Sequence, residues 1–398
     1  VYTDETLMTS NGEVVEQFHK PGWSPERYRH QMYVCHLSVI RRSLMLDVGG
    51  FREGFDGSQD YDLMFRITEK ARKVGHVPKL LYHWKMSASS VANNAAAKPY
   101  AYDAGQKAIE SHFERAGVDT TVSKLAKFPG NYRVVRTTAP SSTVDVFVPT
   151  TGFVSSVWGV ERKHSQQTVL DLTSSSDRRA TVRSVSCSGG SVASAFNEAG
   201  RASTADFLLF TSECLEPMAD GWLDELLQPF TDATAGIVSG STYSAASRVE
   251  HIGYFLNGSF LDKQFYRTRR VDRGQRAVQE AIREASAVDW QCMMIRREAF
   301  VSVGGFDESL EHPWCVIDLC LRVAGLGLRT IITPRAEFWE FSNDEDFGSY
   351  RQRAPKDFRS KWAAWFANDP YRPKPPLRRS AESERPFWRP EQIGRAHV

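Results

Sequence analysis

The sequence predicts an α/β protein built from two open-sheet domains in tandem, and three observations carry that expectation. The chain repeats itself at long range: Arg41-Arg42 followed by Val48-Gly49-Gly50-Phe51 returns as Arg296-Arg297 followed by Val303-Gly304-Gly305-Phe306. Further on, Asp62-Leu63 returns as Asp318-Leu319, and Pro78 to Tyr82 returns as Pro334 to Phe338. Stacked short repeats recur every 20–50 residues or so, so a period this much longer marks a duplicated domain. Finally, strand-like and helix-like stretches alternate through the second half, the pattern of an open α/β sheet.

Bulk properties set the frame. A chain of 398 residues allows two or three domains at about 150 residues each. With 41% hydrophobic and 25% charged residues the composition is that of a globular protein, and a net charge of +2 gives no global field that would favour nucleic acid. The six cysteines form no CxxC pair, which reads as reduced thiols in a cytoplasmic protein. No apolar run reaches the roughly 18–20 residues that span a bilayer. Both ends read as artificial: the chain opens at Val1 inside an apparent strand, and residues 392–398 resemble a translated sequencing adapter. A fragment of a longer gene is the expectation.

In chain order, Val1 to Thr3 reads as a strand running into Asp4 and Glu5. Tyr33 to Ile40, rich in β-branched and aromatic types, reads as a second strand. Ser43 to Val48 is a short helix stopped by Gly49-Gly50. Asp60 to Lys73 is helical with Leu63, Ile67 and Ala71 on one face. Val77 to Trp84 is a strand, and 98–117 is an amphipathic helix followed by a linker to 142. The second domain opens with the strand Val144 to Thr150. Val192–Ala202 and Trp222–Phe230 then read as helices, with Phe207–Phe210 and Gly236–Ser239 as strands. The expected domains are 1–97 and 143–368, with a helix and linker at 98–142, a proline-rich tail at 369–391 and the adapter-like end at 392–398.

Several segments resemble the family 2 glycosyltransferases of bacterial surface polysaccharide synthesis, including rhamnosyltransferase-like members with two tandem GT-A domains. In the first half these are Tyr2-Thr3-Asp4-Glu5, Tyr33-Val34-Cys35-His36, Val48-Gly49-Gly50-Phe51, Gly57-Ser58-Gln59-Asp60-Tyr61-Asp62-Leu63 and Leu81-Tyr82-His83-Trp84. In the second they are Val146 to Thr150, Asn197 to Gly200 and Arg296 to Phe306. The resemblance implies Rossmann-like GT-A domains that bind a nucleotide sugar at the carboxyl ends of the strands. It implies an acidic DxD motif holding Mg²⁺ or Mn²⁺ on the diphosphate, and a carboxylate that deprotonates the acceptor hydroxyl with inversion. The implied partners are a nucleotide-sugar donor and a glycan or lipid-linked acceptor, with peripheral association at the inner face of the plasma membrane left open.

Asp60 matches the position of the catalytic base; its alternative is a helix N-cap, which Asp does well. Asp62 recurs as Asp318 and reads as a structural helix-start residue. His83 matches a position near the metal and diphosphate, against the alternative of a packed histidine. Asp4, Glu5, His36, Gly50, Gln59 and Trp84 are the expected substrate-lining residues. Thr6 breaks a DxD reading of Asp4 and Glu5, and the family's true motif would precede Val1, so the chain alone is expected to be inactive.

The second copy departs from the pattern. Thr211-Ser212-Glu213-Cys214 stands where an acidic motif is expected. Val316 stands at the base position, and Trp339 or Glu340 at the late histidine. Glu213 or Glu340 could rescue weak metal binding, and Asp171 is an acid at an apparent strand end. The second domain therefore reads as a degenerate GT-A domain. Two other readings stand beside transfer. One is a non-catalytic glycan-binding or scaffolding protein. The other is a nucleotidyltransferase, which would need a Gly-rich phosphate loop that Pro149 to Gly152 does not offer.

Overall fold

A residue sequence with this patterning folds, in the computed structural model, into two units; residues 1–86, 99–157, 160–187, 190–342 and 351–374 are described. Unit 1 comprises Val1–Thr137 with Arg276–Ala281 and the described tail from Pro370; unit 2 comprises Thr138–Gln275 and Ile282–Asp369.

Unit 1 is built on a three-stranded sheet. β1 (Tyr2–Met8) lies between antiparallel β2 (Val14–Phe18) and parallel β3 (His76–Lys85). Its helices are α1 (Pro25–His30), α2 (Arg42–Asp47), α3 (Gln59–Lys70) and α4 (Pro99–Ala116), followed by the hairpin of β4 (Thr120–Lys124) and β5 (Tyr132–Arg136). The core gathers Tyr2, Tyr28, Tyr33, Tyr61 and Phe65 with Ala108, Ile109 and Phe113 of α4. Two expectations fail here. The supposed linker after α4 contains the β4–β5 hairpin. Tyr33 to Ile40 forms no extended strand: Thr3 N donates to Leu37 O (3.1 Å), Val39 N donates to Val1 O (2.8 Å), and the pairing with β1 amounts to a single isolated bridge between Tyr2 and Ser38. Its counterpart in unit 2 is a strand with neighbours on both sides, whereas among the described residues this segment has β1 alone.

Unit 2 has β6 (Val144–Thr150), a hairpin of β7 (Val154–Val157) and β8 (Val160–Lys163), α5 (His164–Ser174), β9 (Ala180–Ser186), α6 (Val192–Ala202), β10 (Phe207–Thr211), β11 (Leu215–Pro217) and α7 (Trp222–Leu227). There follow β12 (Ala235–Ser244), β13 (Val249–His251), β14 (Tyr254–Asn257), β15 (Phe260–Lys263), β16 (Arg283–Ala285), β17 (Cys292–Arg296), α8 (Arg297–Ser302), α9 (Trp314–Gly325) and β18 (Arg329–Glu340). The main sheet runs β11-β18-β12-β17-β10-β6-β9, with β13 on β12 and β16 on β18. It is mixed: β9, β6 and β10 are parallel, β17 is antiparallel to both β10 and β12, and β18 is parallel to β12. Every residue of β12 is buried, as expected of a strand covered on both faces. The tail is anchored where it begins, because the buried Asp369 accepts from Leu256 N at 2.7 Å. Residues 375–398, including the adapter-like end, lie outside the described residues.

The repeated motif has a physical meaning in both units. Gly49 and Gly50 adopt φ of 79° and 68°, and Gly304 and Gly305 adopt 84° and 79°, a region that side chains disfavour. In unit 1, Arg66 Nη1 and Nη2 donate to Val48 O (2.5 Å) and Gly50 O (2.7 Å), and Arg66 Nη2 also donates to Asp62 (2.6 Å). In unit 2, Arg322 donates likewise to Val303 O (2.5 Å), Gly305 O (2.7 Å) and Asp318 (2.6 Å). The Asp–Arg pair at i and i+4 thus clamps the glycine turn to the following helix. Gly305 is also tightly enclosed, since a Cβ there would stand 2.2 Å from Asn197 Oδ1, whereas Gly304 has open space. Gly305→Ala should therefore cost roughly 2–4 kcal/mol of unfolding free energy, and Gly304→Ala only about 1 kcal/mol. Equal losses in urea titrations of the two variants would refute the steric reading.

Candidate active site

Asp60 is set by its two neighbours in α3. Tyr61 OH donates to Tyr28 O (2.6 Å) while Tyr28 OH donates to Tyr61 O (3.1 Å), a reciprocal pair that ties α3 to α1. Asp62, fully buried, belongs to the arginine clamp and also receives Arg52 Nε at 3.1 Å. Between these anchors Asp60 is half-buried, and its carboxylate accepts from the adjacent Tyr61 N (2.9 Å, to Oδ1) and from its own backbone N–H. Burial raises its pKa, against the Tyr61 N–H and the nearby charge of His36, which lower it. A carboxylate with a raised pKa and only local backbone hydrogen bonds is suited to taking a proton.

Glu5 supports the same site from β1. It is fully buried, and its Oε2 accepts from His36 N (2.5 Å) and lies 3.3 Å from His36 Nδ1. Its Oε1 accepts from Arg276 Nη1 (2.7 Å), and Lys20 Nζ stands 3.5 Å away. Burial alone would raise the Glu5 carboxyl, but the His36 hydrogen bond and the charges of Arg276 and Lys20 outweigh it and hold it at about 2. The His36 ring in turn stacks on Tyr82 (5.0 Å between centroids) and meets the edge of Trp84 (5.2 Å). Cys35, Glu5's neighbour across this cluster, has its thiol pushed up to about 12 by burial and by the carboxylates of Glu5 and Asp60. One ligand atom each from Cys35, His36 and Asp60 lies within 4.8 Å of the others, and this is the only such metal-competent group among the described residues.

The expected residues therefore separate. Asp60, Glu5, His36 and Trp84 converge through the chain of contacts above, and Gln59 is exposed beside Asp60 at the start of α3. Asp4 is not brought to them: it is fully buried and its oxygens are taken by Lys20 N (3.0 Å), His76 Nε2 (2.7 Å) and His19 Nδ1 (3.4 Å). His83 alternates along β3 with Tyr82 and Trp84 and is exposed, so the pleat turns it to the opposite face from His36. Gly50 serves the arginine clamp through its carbonyl. Sequence reasoning missed Cys35, Lys20, Tyr82 and Arg276. The Cys35-His36 dipeptide was a usable signal for the first, since adjacent thiol and imidazole invite a test for metal ligation. No local signal leads to Arg276, which reaches Glu5 from 271 positions away.

In unit 2 the corresponding places are filled differently. Glu5 lies opposite Tyr82 on the neighbouring strand, and Thr242 lies opposite Phe338. In place of the Glu5–His36 contact stands one between two uncharged side chains, Thr242 Oγ1 donating to Gln291 Oε1 at 3.1 Å. Val316 replaces Asp60 and is completely buried. Glu213 is occupied, accepting from Thr151 N (3.2 Å) and Thr151 Oγ1. Asp171, expected at a strand end, lies instead in α5 and accepts from Gln167 Nε2 (2.8 Å), the i,i+4 spacing of a helix. Glu340, beside Ser212 Oγ (2.9 Å), is pushed up to about 8 by burial, against that hydrogen bond, with Asp289 and Glu250 adding to the rise.

A carboxyl whose folded pKa exceeds its unfolded one stabilises fully below the unfolded value, near 4.3, and loses that stability as pH rises toward the folded value. Glu340→Gln, which mimics the protonated acid, should therefore leave stability nearly unchanged at pH 4–5. It should raise stability increasingly up to about pH 8, by on the order of 3–5 kcal/mol. Thermal melts of the two proteins across pH would reveal this, and parallel curves would refute it.

No protein-family model matches the chain. The chain is 29% identical over 414 residues to the uncharacterized protein y4gI of Sinorhizobium fredii, covering 96% of this chain and 45% of that protein. It is 30% identical over 359 residues to the O-antigen biosynthesis protein RfbC of Myxococcus xanthus, covering 84% of this chain and 28% of that protein. The chain thus spans less than half the length of either relative. Solved structures similar to it include GalNAc-T7 with UDP, GalNAc and Mn²⁺ (11% identity, TM-score 0.39, 57% of this chain and 48% of that one). Another is the mannosyltransferase PcManGT of Pyrobaculum calidifontis with GDP-Man and Mn²⁺ (14% identity, TM-score 0.37, 53% of this chain and 61% of that one). No described helix is long and apolar enough to cross a membrane. The chain thus combines a mixed α/β sheet with similarity, over 84% of its own length, to a protein named for O-antigen biosynthesis.

Proposed function

We propose that the chain carries the acceptor-activating part of an inverting glycosyltransferase, which moves a sugar from a nucleotide-sugar donor to a glycan or lipid-linked acceptor. The observation that carries this is Asp60: a half-buried carboxylate at the start of α3, with a raised pKa and only local backbone hydrogen bonds, between two residues locked by the fold. Asp60 takes the proton of the acceptor hydroxyl as that oxygen forms its bond to the anomeric carbon. The bond from that carbon to the nucleoside diphosphate breaks, and its electron pair leaves with the phosphate. His36, held by Glu5, stands near Asp60 and favours the ionised form of that carboxyl. Trp84 and Tyr82, packed on His36, offer aromatic faces of the kind that sugar rings pack on.

A hard divalent ion, Mg²⁺ or Mn²⁺, fits the donor diphosphate chemically, and kinship to transferases supports it. The described residues do not fit such an ion, which prefers several oxygen ligands. Their one metal-competent group contains a thiol, so no step is routed through a metal here. For unit 2, the replacement of Asp60 and His36 by Val316 and Gln291 favours a non-catalytic, glycan-binding or supporting role. The test of the whole reading is incubation of the full-length protein with a panel of nucleotide sugars and lipid-linked acceptors, the product being read by NMR. A product with inverted anomeric configuration is expected; hydrolysis only, or a retained configuration, would overturn the proposal.

A further inference from the structure

We propose that Cys35, His36 and Asp60 form a binding site for a thiophilic divalent ion of the Zn²⁺ class. The three residues supply one sulfur, one imidazole nitrogen and one carboxylate oxygen, all within 4.8 Å of one another. These are the three ligand types zinc takes, and three protein ligands leave a fourth position for water or a substrate oxygen. All three residues are half-buried.

A second observation comes from the far side of the imidazole. His36 Nδ1 faces the Glu5 carboxylate at 3.3 Å, and that carboxylate is itself fixed by Arg276 at 2.7 Å and by His36 N at 2.5 Å. A carboxylate behind the ring is the outer partner that metal-bound histidines usually have, and it leaves Nε2 for the ion. Tyr82 and Trp84 hold the ring from the side, at 5.0 and 5.2 Å. The imidazole is thus oriented before any ion arrives.

The sulfur decides which ion. Thiolate selects Zn²⁺ and its softer neighbours, while Mg²⁺ retains its waters and prefers oxygen. On binding, the S–H bond of Cys35 breaks, a sulfur–metal bond forms, and the proton passes to solvent. One thiolate and one carboxylate then balance the two positive charges of the ion. Binding does not depend on the transfer reading. One consequence does: an ion held there occupies the Asp60 oxygen that proton abstraction needs, so it would compete with transfer.

Co²⁺ titration of the metal-free 398-residue chain, followed by visible and near-ultraviolet absorption, tests the site. The expected result is one equivalent bound, with the intense d–d bands of a low-coordinate ion and a thiolate-to-cobalt charge-transfer band. Zn²⁺ should bleach both, and a large excess of Mg²⁺ should leave them. Cys35→Ser should abolish the charge-transfer band. His36→Gln should weaken binding by about tenfold or more, and Asp60→Asn should keep the charge-transfer band while weakening binding. Circular dichroism confirms that each variant is folded. Absence of the charge-transfer band from the parent chain, or its persistence in folded Cys35→Ser, would overturn the proposal.

Discussion

Asp60→Asn should lower sugar transfer by the full-length protein by roughly 10²–10⁴-fold, the usual worth of a general base, without unfolding unit 1. The fold is spared because the Asp60 carboxylate accepts only local backbone hydrogen bonds, from Tyr61 N and from its own N–H, which an asparagine oxygen can accept equally. The pH profile separates this role from a helix-capping one. Since burial raises the Asp60 pKa, the acid limb of kcat/KM should lie above the ordinary aspartate value of about 3.9. His36 lowers the Asp60 pKa, so His36→Gln should move that limb further up. A capping residue would change stability and leave the limb where it was. Transfer retained within about threefold in Asp60→Asn would contradict a general-base role.

Asp318→Ala should be the most destabilising single change in unit 2. Asp318 is fully buried and accepts from Arg322 Nε (2.6 Å), Lys361 Nζ (2.7 Å) and Trp362 Nε1 (2.9 Å). Its removal leaves two cations without their anion and frees the arginine from the glycine turn. Breaking a buried ion pair from one side costs about 3–5 kcal/mol, mostly as the penalty for the charge left behind. Replacing Asp318 and Arg322 together by apolar residues should cost less than the single change. Urea unfolding of the three proteins measures both, and a loss below about 1 kcal/mol for Asp318→Ala would mean the clamp is only decorative.

The clamp was legible in the sequence because its parts are close together: a glycine pair, then an Asp and an Arg four residues apart, present twice. α2, α3, β3 and α4 were legible for a similar reason, since local periodicity and glycine stops define them. Tyr33 to Ile40 was misread because strand propensity describes a side chain's fit to a sheet, not whether neighbours exist on both sides. His83 was misplaced by a single residue of pleat, which sends a side chain to the other face. The Glu5–Arg276 contact was beyond reach, because nothing local in the sequence announces a partner 271 positions away. Asp60 was legible as a residue, but its half-burial and the orienting of His36 by Glu5 emerge only in three dimensions.

The burial of Val316 bears on how reversible the divergence of the two copies is. Where unit 1 has the half-buried Asp60, unit 2 has a residue of its hydrophobic core, in the same buried cluster as Phe300 and Phe306. An acid restored there would sit without a partner in an apolar interior, a cost of several kcal/mol or a proton it could not give up. On the proposed reading of unit 2 as a non-catalytic copy, a loss of chemistry has become a gain in packing, and the way back is closed one mutation at a time. A decommissioned site of this kind behaves as a ratchet: later change can find unit 2 a new task more readily than its old one.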